Sequence, residues 1–178
     1  MAHARLGFTF ASLMPLGPGL ATDTAREAAA LGYRSFWTAE TTGPEAFSVL
    51  AAAGAAAPGL DLGTGVLALQ LRTPMLAAMG AATLQALHPD ADILLGIGIS
   101  SPVVTERWHG APYGDRPLAN GREYVTLVKQ CLSREKDDFD RDFGVDEWHG
   151  TNVFLREGDE ILRTYLIDKR GDEAMGST

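Results

Sequence analysis

Alternating strand and helix patterns predict an α/β fold of four βα units with parallel strands, and three observations carry that prediction. Short apolar runs ending in Gly or polar residues alternate four times with longer Ala- and Leu-rich segments, an order that calls for parallel pairing and right-handed crossovers in a sheet or barrel. Two of the longer segments open on a helix-start signal with Pro just inside it, at Pro44 and Pro74, where the missing N–H is harmless. The last 45 residues then abandon the pattern: they hold 20 charged side chains against 18 in the preceding 133, which marks a compositional boundary near Ser133.

In chain order, RLGFTF (residues 5–10) reads as the first strand. A Gly/Pro loop follows, then a helix over about 23–31 in which Thr24 and Glu27 have capping-box spacing. SFWTAE (35–40) reads as the second strand, and the next helix is expected to start with Gly43 as cap and Pro44 in its first turn. LDLGTGVLAL (60–69) reads as the third strand, and RTPMLAAMGAATLQAL as a helix capped by Thr73. DILLGIGIS (92–100) is almost wholly apolar, as a strand buried on both faces should be. A long loop, 101–120, is expected before a last helix over 122–132. In the tail, TNVFLREGDEILRTYLI alternates about Glu157, Gly158 and Asp159, the pattern of a β-hairpin. DKRGDEAMGST then follows with no closing element, so the chain is expected to stop mid-structure.

Composition excludes several classes. A net charge of −8 argues against a nucleic-acid surface, which needs a basic patch. No window approaches the ~18 uninterrupted apolar residues of a membrane helix. The N-terminus, MAHARLGFTFASL, runs straight into a strand and lacks a signal-peptide layout, so a cytosolic location is expected. The single cysteine, Cys131, forbids an internal disulfide or a Cys-x-x-Cys site, and its helical setting reads as packing. His3, His88, His109 and His149 show no metal-ligand spacing, so no metal is expected.

Several motifs have bland readings. GIGISS (96–101) lacks the third Gly and following helix of a dinucleotide fingerprint, with Ser101 and Pro102 in their place. DFG at 142–144 has none of the other kinase motifs upstream. The tripeptide Trp-His-Gly occurs at 108–110 and 148–150 with unrelated flanks, so it marks no repeat. Trp37 reads as strand core. Glu40, at the polar end of the second strand, is open to a functional or a structural reading. Ligands of parallel α/β folds bind at the carboxyl ends of the strands, so the clusters at 8–10, 37–40, 63–66 and 96–101 are expected to face one cleft.

Three stretches, GYRSFWTAETTGPEAFSVLAAAGAAAPGLDLGTGVLALQLRTP, ATLQALHPDADILLGIGISSPVVTERWHG and REYVTLVKQCLS, resemble the luciferase-like monooxygenase superfamily, in particular its branch using the deazaflavin coenzyme F420. The resemblance implies a TIM barrel. Residues 1–138 would then be its N-terminal four βα units, a truncated barrel with parallel strands, followed by a short β-hairpin tail over 139–178. It also implies hydride transfer between F420 and a small organic substrate, with FMN and monooxygenase chemistry as the alternative. Carried over by position, Glu40 and Thr41 are the candidate catalytic residues. Glu40, Gly65, Val66, Gly98, Ile99 and Ser100 would contact the coenzyme, and Gly65 and Val66 match a bulge often holding a non-proline cis peptide. Two departures concern proton transfer: many relatives place a His at the position of Thr41, and some a Glu at that of Ser101.

The tail from about 140, with DFGVDEWHGT and RGDEAMGST, resembles part of a thioredoxin-like bacterial family of unknown function, which puts a junction between Ser133 and Phe143. In relatives of the first part, loops of the second half-barrel hold the coenzyme's phosphate tail, so weak binding or inactivity of the isolated chain is expected. The alternative is a non-catalytic fusion or truncation product. The expected partners are a small-molecule substrate and other copies of the chain, with self-association through exposed half-barrel edges or the 152–167 hairpin covering one edge.

Overall fold

The computed structural model describes residues 6–133, together with the backbone of 152–156, 164–167 and 173–175. The elements are β1 (Gly7–Thr9), α1 (Ala21–Ala30), β2 (Ser35–Thr38), α2 (Ala46–Ala56), β3 (Asp61–Thr64), β4 (Leu67–Ala68), α3 (Pro74–Leu87), β5 (Ile93–Gly98), α4 (Pro117–Ser133), β6 (Asn152–Arg156), β7 (Thr164–Ile167) and β8 (Glu173–Met175). The sheet runs β1-β2-β3-β5-β6-β7-β8, with β4 also on β5. Pairing is parallel from β1 through β5 and antiparallel from β5 through β8. The parallel α/β order expected from the sequence is therefore present. The proposed junction between Ser133 and Phe143 lies outside the described residues.

Several local expectations are corrected. The Thr24–Glu27 capping box does not form. A 3₁₀ turn at Pro18–Leu20 already has helical backbone, so α1 starts at Ala21 without an extended cap residue. Thr24 thus lies inside the helix, and its hydroxyl donates back to the carbonyls of Leu20 at 2.8 Å and Ala21 at 3.2 Å, as mid-helix threonines do. Neither Gly43 nor Pro44 starts α2. The cap is Glu45, whose carboxylate accepts from the N–H groups of Phe47 at 3.0 Å and Ser48 at 2.7 Å; glycine has no side-chain acceptor to do this. The third strand is split into β3 and β4 around Gly65–Val66, which is a cis peptide. The 101–120 segment is not one loop: a π-helical turn covers Val103–Trp108, and α4 begins at Pro117.

The Thr73 cap stands as expected, accepting from the Leu76 N–H at 3.2 Å with Pro74 in the first turn. Thr73→Ala is expected to cost about 1 kcal/mol, and Thr73→Ser much less, in urea unfolding followed by circular dichroism.

The core lies between the sheet and its helices. Phe10, Phe36, Leu62, Leu95 and Ile97 meet alanine-rich helix faces at Ala25, Ala53, Ala77 and Ala81, where small side chains allow close approach. Strand alternation sends Ser35 and Trp37 to the opposite face from buried Phe36 and Thr38. The strands beside Trp37 carry glycine there: a Cβ on Gly63 would lie 2.5 Å from Cζ3 of Trp37, and one on Gly7 2.8 Å from its Nε1. The indole therefore lies flat across two neighbouring strands, its N–H donating to the Ser35 hydroxyl at 2.8 Å.

Two side chains bridge the strands. At their amino ends Asp61, buried at 6% exposure, takes two bonds from Arg34 and one from the Asp92 N–H. Further along, where β3 gives way to the bulge, the Thr64 hydroxyl stands in for the backbone ladder. It donates to the Gly96 carbonyl and accepts from the Gly96 N–H, both at 2.8 Å.

Candidate functional site

The carboxyl ends of β2, β3 and β5 converge because these strands are parallel neighbours. Just past β2, the Glu40 N–H donates to the Val66 carbonyl at 3.2 Å, while the Gly65 N–H donates to the Thr38 carbonyl at 2.6 Å. These bonds fix the bulge against the end of β2. Past β5, Ser100 takes a left-handed backbone with φ 54°, uncommon for a residue with a side chain. The Gln70 amide donates to the Ile99 carbonyl at 2.8 Å and anchors that turn. Its own Oε1 is buried and has no hydrogen-bond partner among the described residues. Gly65, Val66, Gly98, Ile99 and Ser100 thus make a ledge at the ends of β3 and β5, with Gly65 exposed, Val66, Ile99 and Ser100 half-buried and Gly98 buried.

Beside the ledge lies a cleft of about 340 Å³, lined by Glu40, Thr41, Gly43, Glu45, Arg72 and His109 among others. Of the residues expected at the site, Glu40 and Thr41 line this cleft; the five ledge residues do not. Gly43 is small where Met14 comes close, since a Cβ there would lie 2.9 Å from the Met14 Cε.

Arg72 organises the charge. Its guanidinium forks onto Glu40, with Nε 3.0 Å from Oε2 and the second contact on Oε1, and it also pairs with Glu45. The Arg72 and Glu40 side chains are only 14% and 11% exposed, so solvent screens them little. Glu40 further accepts from the Ala46 N–H at 3.3 Å, and the Phe47 ring lies 5.2 Å beneath the Arg72 guanidinium. The Glu40 hydrogen bond, ahead of the attraction of both carboxylates, holds Arg72 above its usual range despite partial burial. Two carboxylates against one guanidinium leave this cluster with an excess negative charge.

Partial burial alone would raise the pKa of Glu45. Hydrogen bonds from the Ser48 hydroxyl and the Ser48 and Phe47 N–H groups, with the Arg72 charge, outweigh it and hold Glu45 below its ordinary 4.5. A depressed folded-state value means that the contribution of Glu45 to stability is present above the unfolded value and is lost as pH falls through the folded one. The stability gap between wild type and Glu45→Gln is therefore expected to narrow below about pH 4.5, measured by urea midpoints along a pH series.

The cleft's third chemical element arrives from far along the chain. His109, just after the π-helical turn, places Nε2 against the Thr41 backbone carbonyl. Sequence reasoning missed Arg72, Glu45 and His109 as site residues. Arg72 did leave a trace: it is the single Lys or Arg between Arg34 and Arg107, and Glu40 and Glu45 are the two acids between Glu27 and Asp61. Isolated opposite charges in an apolar tract need one another once buried. His109 left none, because its neighbour is 68 residues away. Among the described residues no group of His, Cys, Asp and Glu could hold a metal ion, and no helix is long and apolar enough to cross a membrane.

The family described as luciferase-like monooxygenase matches residues 12–164. A Mycobacterium tuberculosis protein bearing the name coenzyme F420-dependent oxidoreductase is 41% identical over 104 residues, 58% of this chain and 29% of that protein. Among solved structures, the coenzyme F420-dependent tetrahydromethanopterin reductase of Methanopyrus kandleri superposes with a TM-score of 0.61 at 18% identity, covering 74% of this chain and 40% of that one. The oxygenating constituent of 3,6-diketocamphane monooxygenase from Pseudomonas putida, in complex with FMN, gives 0.61 at 16% identity, covering 96% and 47%. At such identities the structural likeness speaks for the fold, and the chain spans less than half the length of each of these relatives.

Proposed function

Because this chain belongs to the luciferase-like monooxygenase family, we propose that its strand-end ledge takes the flat ring of a deazaflavin, coenzyme F420, for hydride exchange with a small organic substrate. The observation that carries the reading is the strand-end ledge, where exposed Gly65 opens a cis peptide and Ser100 has left-handed backbone, tied through the Val66 carbonyl to Glu40 of the cleft. The donor set fits such a ring. Gly65 has no side chain to project, a Cβ there would still be 3.5 Å from the Trp37 indole, and the indole fills the space over Gly63 on the same face. A planar polar heterocycle needs that arrangement: a flat floor and backbone groups at its edge.

When bound, the deazaflavin supplies a ring carbon that exchanges hydride. The chain's part is to orient and to exclude water. The ledge would hold the ring edge, Gln70 fixes the Ile99 carbonyl, and the Arg72 clamp keeps Glu40 at the mouth of the cleft. Positioning of this kind supplies much of the rate of such transfers. FMN with monooxygenase chemistry is the second reading, favoured by the FMN-bound relative. A non-catalytic fusion or truncation product is the rival of another class, favoured by the compositional break near Ser133. Self-association is proposed through β1, which ends the sheet and has a neighbour on one side alone among the described residues; light scattering after size exclusion tests it, a strictly monomeric chain refuting it.

Titration of the full chain with F420 and, separately, FMN decides among these. Weak saturable binding is expected, and no response to either at ~100 µM, a free energy of about −5.5 kcal/mol, would leave the non-catalytic reading standing. Tighter binding of FMN would transfer the site to the flavin.

A further inference from the structure

We propose that the groove between α2 and α3 binds an alkylammonium amphiphile, its apolar chain along the helices and its cationic head at the cluster of Glu40, Arg72 and Glu45. The groove has a volume of about 340 Å³, with apolar walls from Phe47, Ala51, Leu76, Met79, Leu84 and Leu87. Leu76, Met79 and Leu87 are 48%, 57% and 60% exposed, large apolar side chains turned to solvent along one helix. Neither helix carries a charged residue over 46–56 or 74–87, in a chain with 15 Lys and Arg and 23 Asp and Glu. A contiguous apolar strip rimmed by polar groups marks a binding surface.

The groove is built rather than incidental. A Cβ on Gly80 would lie 2.5 Å from the Phe47 Cε2, so the Phe47 ring rests directly on α3 and closes the floor. The same ring lies 5.2 Å from the Arg72 guanidinium. Glu45 and Arg72 are the charged residues among those lining the groove, and both also line the Glu40 cleft, as does Leu76. The two spaces are therefore continuous, apolar along the helices and polar at their amino ends.

The sign of the polar end selects the head group. Glu40 and Glu45 against Arg72 leave one negative charge, which attracts an ammonium and repels a carboxylate or phosphate. A carboxylate oxygen accepts two hydrogen bonds, and among the described residues Glu40 Oε2 takes one, from the Arg72 Nε. The helix sets the length of the tail. Leu76 and Leu87 are eleven residues apart, roughly 16 Å along α3, the length of an extended chain of about a dozen carbons. A space of this size suits one such chain and not a second helix, which is about 10 Å across. The groove lies apart from the ledge, so its test needs no coenzyme.

Calorimetric titration of the full chain with butyl-, hexyl-, octyl- and decylammonium, below micelle-forming concentrations, measures the binding. Affinity is expected to rise about fourfold per added CH2; a flat series would overturn the proposal. Alkanoates of the same lengths should bind at least about tenfold more weakly, and Glu45→Gln, which keeps an oxygen for the α2 cap, should bring the two heads within about threefold. Wild-type chain that takes carboxylates as tightly as amines would overturn the proposal. Met79→Gln alters an exposed side chain and leaves the core intact; it should weaken decylammonium binding about fivefold, and an unchanged affinity would count against the groove. Light scattering on the same samples tests the other occupant: a dimer that Met79→Gln splits and decylammonium does not would assign the face to a second copy of the chain and overturn the proposal.

Discussion

Replacing Arg72 with Met is expected to lower the unfolding free energy by about 3 kcal/mol, the largest effect of any substitution considered for this protein. Arg72 neutralises Glu40 where both side chains are little exposed, and it also meets Glu45. Without it Glu40 keeps the 3.3 Å bond from the Ala46 N–H and faces a second carboxylate. Most of the loss should come from the stranded charge rather than from the pair itself. The double variant Glu40→Gln/Arg72→Met is accordingly expected to recover more than half of it. Urea unfolding of the two single variants and the double variant measures this coupling. Additive losses would show that the two side chains do not act as one unit.

Thr64→Val is expected to cost about 2–3 kcal/mol despite its near-identical shape. The hydroxyl satisfies both backbone groups of Gly96 at a position only 1% exposed, so Val would leave a buried donor and a buried acceptor without their partner. Thr64→Ser keeps the oxygen and should lose less than about 1 kcal/mol. Hydrogen exchange at the Gly96 amide gives an independent reading: it should quicken in the Val variant and change little in Ser. Because this bridge spans the gap left by the bulge, the Val variant should also loosen the ledge.

The parallel layout was legible from periodicity because each strand's apolar run and each helix's alanine-rich face obey one local rule. The Thr73–Pro74 start was readable for the same reason, as its cap bond closes within three residues. Gly65 and Val66 were identified through family resemblance, and the cis peptide lies there. The misplaced α1 and α2 starts show the limit. Whether Thr24 caps a helix depends on the backbone entering it, and whether Gly43 or Glu45 does depends on which offers an acceptor where the chain turns. The charge cluster and His109 were less legible still, since Glu40 and Arg72 are 32 residues apart and Thr41 and His109 are 68 apart. Contacts at such separations are made by the crossovers and leave little mark in local spacing.

The indole lying across Gly7 and Gly63 constrains how this sequence can drift over generations. A methyl group at 63 cannot be admitted while tryptophan occupies 37, whereas a smaller residue at 37 opens space that only a larger neighbour refills. Change at these two sites must therefore come in order, first at 37 and then at 63, and descendants of this lineage should carry a larger residue at 63 only beside a smaller one at 37.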